Sequence, residues 1–291
     1  MLYFSLLIIS LMAFVIVDLV RAAHKAKSSK PQHQYKLKRQ KPDERDIPFD
    51  HQAFLGAAPL PSGFDLRPGC PPVRDQGQEG SCTSFAGTVC REMLAEGPSL
   101  ILAPACLYYE ERALESTTLE DSGASIRDEC KATQKFGICP ETDMPYVAGD
   151  YTTAPSAQAV TDAAPYKISA YKAVLGAEAV KIALVSRKQP VLIGMTVYAS
   201  MESDAVAKSG ILPIPKNSEQ KMGGHAVLIV GYKDAAKPSL CDCIRSLFTG
   251  KSTGNFIVRN SWGDQWGLQG YFQMSYEYFS KYTYDYWIME K

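Results

Sequence analysis

The chain has 291 residues, 46% of them hydrophobic and 21% charged, with 31 lysines and arginines against 31 aspartates and glutamates. That is globular composition, enough for one large or two packed subdomains, and the zero net charge excludes a whole-molecule field that would gather nucleic acid or acidic substrates. The balance hides an asymmetry, because residues 1–59 carry nine basic and five acidic groups, a net +4, and the remaining body carries −4.

Residues 1–22 begin with "MLYFSLLIISLMAFVIVDLV", apolar apart from Ser5, Ser10 and Asp18. Val20 and Ala22 stand where signal-peptide cleavage wants small residues, so export to the periplasm, the cell surface or the medium is expected. Arg21, Lys25 and Lys27 follow the run and no cation precedes it, which also fits an uncleaved anchor, membrane-associated through residues 1–20, with a cytoplasmic body. Residues 23–59 are polar, basic and punctuated by Pro31, Pro42, Pro48 and Pro59, so they read as an extended linker or pro-segment rather than a domain.

Turn-rich sequence from Leu60 leads into "CTSFAGTVCREMLAEG". Phe85, Val89 and Met93 repeat at helical spacing beside Ala86, Cys90 and Leu94, with Ser81 as cap and Gly97-Pro98 as stop. Further helices are predicted over 103–114, 125–136 and 177–187. "PVLIGMTVY" and "HAVLIVGY" then read as buried strands, while "NFIVRNSWG" and "GYFQMSYEYF" alternate as strands do. Helices first and strands second predict an α+β protein of two lobes meeting at a seam, residues 60–165 mainly helical and 166–291 mainly β.

Eight cysteines leave the redox compartment open. Cys90 and Cys106 fall on apolar helical positions as buried thiols. Cys130 with Cys139, or Cys70 with a partner brought near by the fold, are candidate bridges. Cys241-Asp-Cys243 has no nearby histidine or second cysteine pair to complete four ligands, so neither a metal nor another cofactor is expected.

Cys82 is the residue that asks for chemistry. It follows Gly80-Ser81, two small residues, at the start of a helix whose field favours a thiolate. His225, in "KMGGHAVLIVGY", is the only imidazole outside the basic arm, and Gly223-Gly224 strip side-chain bulk from its approach. Asn260, in "VRNSWGDQWGLQGY", can accept the second ring N–H of that imidazole without adding charge, and Trp262 can cover the bond. Gln76 can aim its amide at a developing oxyanion beside the Cys82 N–H.

"PVRDQGQEGSCTSFAG", "GGHAVLIVGY" and "NFIVRNSWGDQWGLQGYF", in that order, resemble the papain-like cysteine peptidases from Leu60 to about Phe272. The resemblance implies a papain-like two-lobed fold with the cleft between a helical lobe and a β-barrel-like lobe. It implies Cys82 as nucleophile, His225 as base then acid, Asn260 as its orienter and Gln76 as oxyanion donor. Gly80, Gly123 and Gly224 would line the substrate path, with Trp262 shielding Asn260 and Trp266 walling the leaving-group side. Polypeptides would be the substrates, and the short N-terminal segment would block the cleft of a precursor.

Three departures stand out. Glu79 occupies the place of a family disulfide cysteine, Thr83 replaces the aromatic residue after the nucleophile, and the connection from His225 to Asn260 is long. Histidine is absent from that insertion, which favours an endopeptidase. The competing reading is a catalytically silent relative that binds peptides in the same groove. Loss of Cys82, His225 or Gln76 would have favoured it, and all three are present.

Overall fold

Two apolar strand runs, "VLIGMTV" and "HAVLIV", lack polar alternation because both of their faces are covered. In the computed structural model, which describes residues 33–54, 59–95, 99–235 and 253–291, they lie at the centre of one antiparallel sheet. Its strands are β1 (Gly63–Asp65), β2 (Ala170–Ala173), β3 (Val191–Tyr198), β4 (Lys221–Asp234), β5 (Gly254–Arg259), β6 (Tyr271–Ser275) and β7 (Thr283–Glu290). The order is β2-β7-β3-β4-β5-β6, with β1 pairing with β4 beyond the end of β3. The path is left open, with β2 and β6 as its edges.

Side chains along β3 and β4 alternate between two cores. Val191, Ile193, Met195 and Val197 of β3 join Val227 and Ile229 of β4 on one face. Helix α5 (Gly176–Arg187) and helix α7 (Tyr276–Tyr282) pack there. Leu192, Ala226, Leu228 and Val230 face the other way, toward helix α1 (Cys82–Met93) and helix α3 (Ile126–Lys135). Helix α2 (Pro104–Leu114) packs beside α1 and α3, and the short helices α4 (Ala157–Ala163) and α6 (Asp204–Ser209) complete the set. Cys82 belongs to the second core and Trp262 to the first.

Helix α1 is buried on every side from Cys82 to Glu92, because it is wedged between its sister helices and β4. At Gly87 an added Cβ would stand 1.9 Å from the Glu129 carboxylate oxygen. Glu129 is itself fully buried and cannot swing into solvent. Gly87→Ala is therefore expected to cost about 1–3 kcal/mol of stability through overpacking. Urea unfolding monitored by tryptophan fluorescence measures it, and an unchanged midpoint would contradict this packing.

Several local expectations are corrected. Ser81 makes no cap bond, and its hydroxyl lies 2.9 Å from that of Tyr146. "GYFQMSYEYF" is not one strand: Ser275 accepts the Tyr278 N–H, caps α7 and ends β6. Cys130 and Cys139 are unbridged. Cys139 instead packs in the same small core as Cys106, Cys130 donates to Glu129, and Cys70 lies 3.6 Å from the Met93 sulfur. All six described cysteines are free thiols.

The leader, Cys241, Cys243 and most of the insertion before β5 lie outside the described residues. Among the described residues no helix is long and apolar enough to cross a membrane.

Candidate active site

Helix α1 places Cys82 at its first residue, and β4 places His225 opposite Met195 of β3. The Cys82 sulfur accepts the N–H of Ala226, the residue after His225, at 3.4 Å. The sulfur is thus tied to the backbone of the strand that carries His225, at the junction of helix and sheet. His225 Nε2 lies 2.8 Å from the Asn260 Oδ1, which also accepts the Ser261 N–H. His225 Nδ1 is buried with no hydrogen-bond partner among the described residues, so this nitrogen is the one left free for the thiol proton. Trp262 stacks on the imidazole with ring centroids 5.0 Å apart. Trp266 stands edge-on behind Trp262 at 4.9 Å, supporting it within the core.

Gln76 is fully buried and held at three points. Its N–H donates to the Ser261 carbonyl, its side-chain oxygen accepts the Ser261 hydroxyl at 2.5 Å, and its amide nitrogen donates to the Glu79 carbonyl at 2.8 Å. One amide hydrogen is already used, and the second remains for an incoming oxygen. Ser261 was missed by sequence reasoning, because a serine following an asparagine carries no signal of its own.

The two departures near Cys82 have structural roles. Glu79 accepts the Gly149 N–H at 2.9 Å, and burial pushes its carboxyl up. Thr83 donates to Glu111 at 2.6 Å, and both are buried. Burial, followed by repulsion from Glu129, raises Glu111 well above the usual carboxyl range.

Residues 33–54 are not a loose tether. His33 stacks on Trp262, the ring that also stacks on His225, with centroids 3.9 Å apart. Lys36 bridges to Gly224, the Leu37 N–H donates to the Gly224 carbonyl and the Lys38 N–H to the Ala124 carbonyl. Only glycine fits at 123: its φ is +67°, and a Cβ there would lie 2.0 Å from the Lys36 carbonyl oxygen. Leu37 is buried in the same core as Cys82, and Phe49 is buried against the other. Ion pairs add to this: Lys36–Asp121 at 2.7 Å, Lys38–Glu115, and Arg127–Asp46. Partly exposed pairs contribute about 0–1 kcal/mol each, whereas a buried leucine contributes about 1.5–3 kcal/mol, so apolar burial and strand pairing carry most of the docking.

Burial sets the site's protonation. Burial pushes the Cys82 thiol up to about 12, against the lowering effect of the Ala226 N–H. Burial likewise pushes His225 down to about 4, against the Asn260 hydrogen bond. The covered site therefore holds a neutral thiol beside a neutral imidazole at pH 7, and not the ion pair expected at an open helix N-terminus. Water exclusion overrides the helix field.

Residues 60–285 match the family described as papain family cysteine protease. The chain belongs to that family and is a papain-like cysteine peptidase. The solved structure of xylellain, a cysteine protease from Xylella fastidiosa, aligns at TM-score 0.75 and 32% identity over 90% of this chain and 98% of that one. An uncharacterized peptidase C1-like protein of Acanthamoeba polyphaga mimivirus is 32% identical, covering 86% of this chain and 85% of its own. Mouse pro-cathepsin H is 29% identical over 75% of this chain and 61% of its own length.

Proposed function

We propose that the chain is a cysteine endopeptidase made as a precursor, with residues 33–54 as a pro-segment that fills its own cleft. Cys82 attacks a peptide carbonyl after giving its proton to His225 Nδ1. Asn260 holds the ring by its other nitrogen, and the Gln76 amide with the Cys82 N–H receives the oxyanion. His225 then protonates the leaving amine, and water activated by the same ring releases the acyl-enzyme.

The observation that carries this reading is the path of the arm across the glycines at 123 and 224, over the buried thiol. Its direction supports inhibition rather than turnover. The leaving amine must lie on the His225 side, next to Trp262, so a substrate chain runs toward Trp262. The arm runs the opposite way, from His33 on Trp262 to Lys38 at Ala124. Its carbonyls are then presented in the wrong sense for His225 to protonate a departing nitrogen. The apolar leader supports export, to the periplasm, the cell surface or the medium.

An epoxysuccinyl inactivator tests the mechanism. After the folded chain is cut between residues 55 and 59, the adduct is expected on Cys82 alone when mapped by mass spectrometry. Peptidase activity that persists in Cys82→Ala would refute the proposal.

A further inference from the structure

We propose that Asp121 makes this cleft selective for a lysine-type cation on the residue that supplies the scissile carbonyl. The inference rests on the peptidase reading above and names the side chain that the site takes.

Lys36 is the arm residue that lies over Gly80, two residues before Cys82. Its backbone is bridged to Gly224, next to His225, and its carbonyl oxygen lies against Gly123. Its aliphatic stem runs over Gly80, two residues before Cys82, where an added Cβ would meet the Lys36 Cδ at 2.7 Å. The stem therefore follows the wall on the acyl side of the thiol, away from Trp262 and the leaving amine. At its end the ammonium meets the Asp121 carbonyl oxygen at 2.6 Å and its carboxylate Oδ2 at 2.7 Å.

The site is built rather than incidental. The Gly80 N–H donates to the Asp121 carboxylate at 3.0 Å, and the Tyr108 hydroxyl donates to it at 2.5 Å. Tyr108 is itself buried and also accepts the Gly123 N–H, so one tyrosine fixes both the carboxylate and the glycine wall. Among the described residues Lys36 is the only lysine or arginine paired with Asp121. Once the arm departs, a fixed carboxylate beside the nucleophile is left without its cation. A substrate residue with the same four-carbon stem and ammonium restores the pairing. An apolar residue of equal length covers Gly80 but leaves the charge unanswered. Reversal of chain direction does not alter this, because the stem and its charge are recognised by Gly80 and Asp121 and not by the strand's polarity.

The test compares two peptides that differ only at the residue before the scissile bond, lysine in one and norleucine in the other. The enzyme is the full chain, folded intact and then cut at a protease site placed at residues 55–58. Lysine is expected to raise kcat/KM about tenfold to a hundredfold, the effect of a hydrogen-bonded charge. In Asp121→Asn, which can still accept the Gly80 N–H, the lysine-to-norleucine ratio is expected to fall to within about threefold of one. Equal turnover of both peptides by the unsubstituted enzyme, or a lysine preference that survives Asp121→Asn, would overturn the inference while leaving the peptidase reading intact. Cleavage of neither peptide counts against the peptidase reading instead. Fluorescence anisotropy of the same two peptides on the same protein then decides the lysine selectivity, which stands if lysine binds more tightly only when Asp121 is present.

Discussion

Iodoacetamide at pH 7 is expected to leave Cys82 of the intact chain nearly unmodified and to alkylate it readily once residues 1–59 have been cut away. With the thiol pushed up to about 12, the thiolate fraction at pH 7 is on the order of 10⁻⁵. An uncovered helix N-terminus beside an imidazolium brings such a thiol to about 3.5–7.5, making it largely ionised. The gain in rate is smaller than the gain in thiolate, because nucleophilicity falls with pKa at a Brønsted slope of about 0.4–0.5. The two effects together leave roughly a hundredfold acceleration at pH 7, to which removal of the steric cover adds.

The pH dependence has a definite sign. A raised thiol pKa means that labelling of the intact chain climbs about tenfold per pH unit between 7 and 10. In the cut enzyme the thiolate is already formed, so the rate is nearly flat over the same range. Intact-mass spectrometry after timed quenching measures both. Equal rates before and after cutting would refute the idea that the arm controls the thiol.

The second large effect concerns the groups around the sulfur. His225→Ala is expected to lower kcat by about 10⁴–10⁶, the range seen when one member of a cooperating nucleophile–base pair is removed. Gln76→Ala is expected to lower it by about 10²–10³, the loss of one oxyanion donor. The ordering separates chemistry from stability, because both side chains are fully buried and both truncations cost folding energy. Thermal unfolding of the two variants should therefore shift by similar amounts while their kcat values differ by at least about tenfold. Stopped activity in Gln76→Ala with full activity in His225→Ala would rule out the assigned roles.

Much of the fold was legible because it follows from local patterns. The apolar runs of β3 and β4 mark strands buried on both faces, and the row Phe85, Val89, Met93 marks one buried side of α1. Helices at 104–114, 126–135 and 176–187 lie within a residue or so of their predicted bounds. The failures are equally physical. At Ser275 a hydroxyl that caps a helix looks, in sequence, like one more polar position of an alternating strand. At Ser81 a nearby tyrosine competes for the hydroxyl expected to cap α1. Cys139 is nine residues from Cys130 but is turned toward Cys106 on α2, a choice made by how the loop before Pro140 pairs with Leu102.

The sequence by itself determined which groups are available for chemistry. One thiol at a helix start, one imidazole in the body, an asparagine before a tryptophan and a glutamine on the incoming loop are recognisable because few residue types can serve as nucleophile, base, orienter or oxyanion donor. The tertiary structure alone decided that Ser261 grips Gln76, that Asp121 faces the Lys36 ammonium, and that Leu37 of the arm joins the core in which the thiol is buried. Those outcomes join residues as much as 185 positions apart. Reactivity also depends on hydration, and hydration is a property of the packed surface, so the charge state of Cys82 follows from what lies over it and not from its neighbours in the chain.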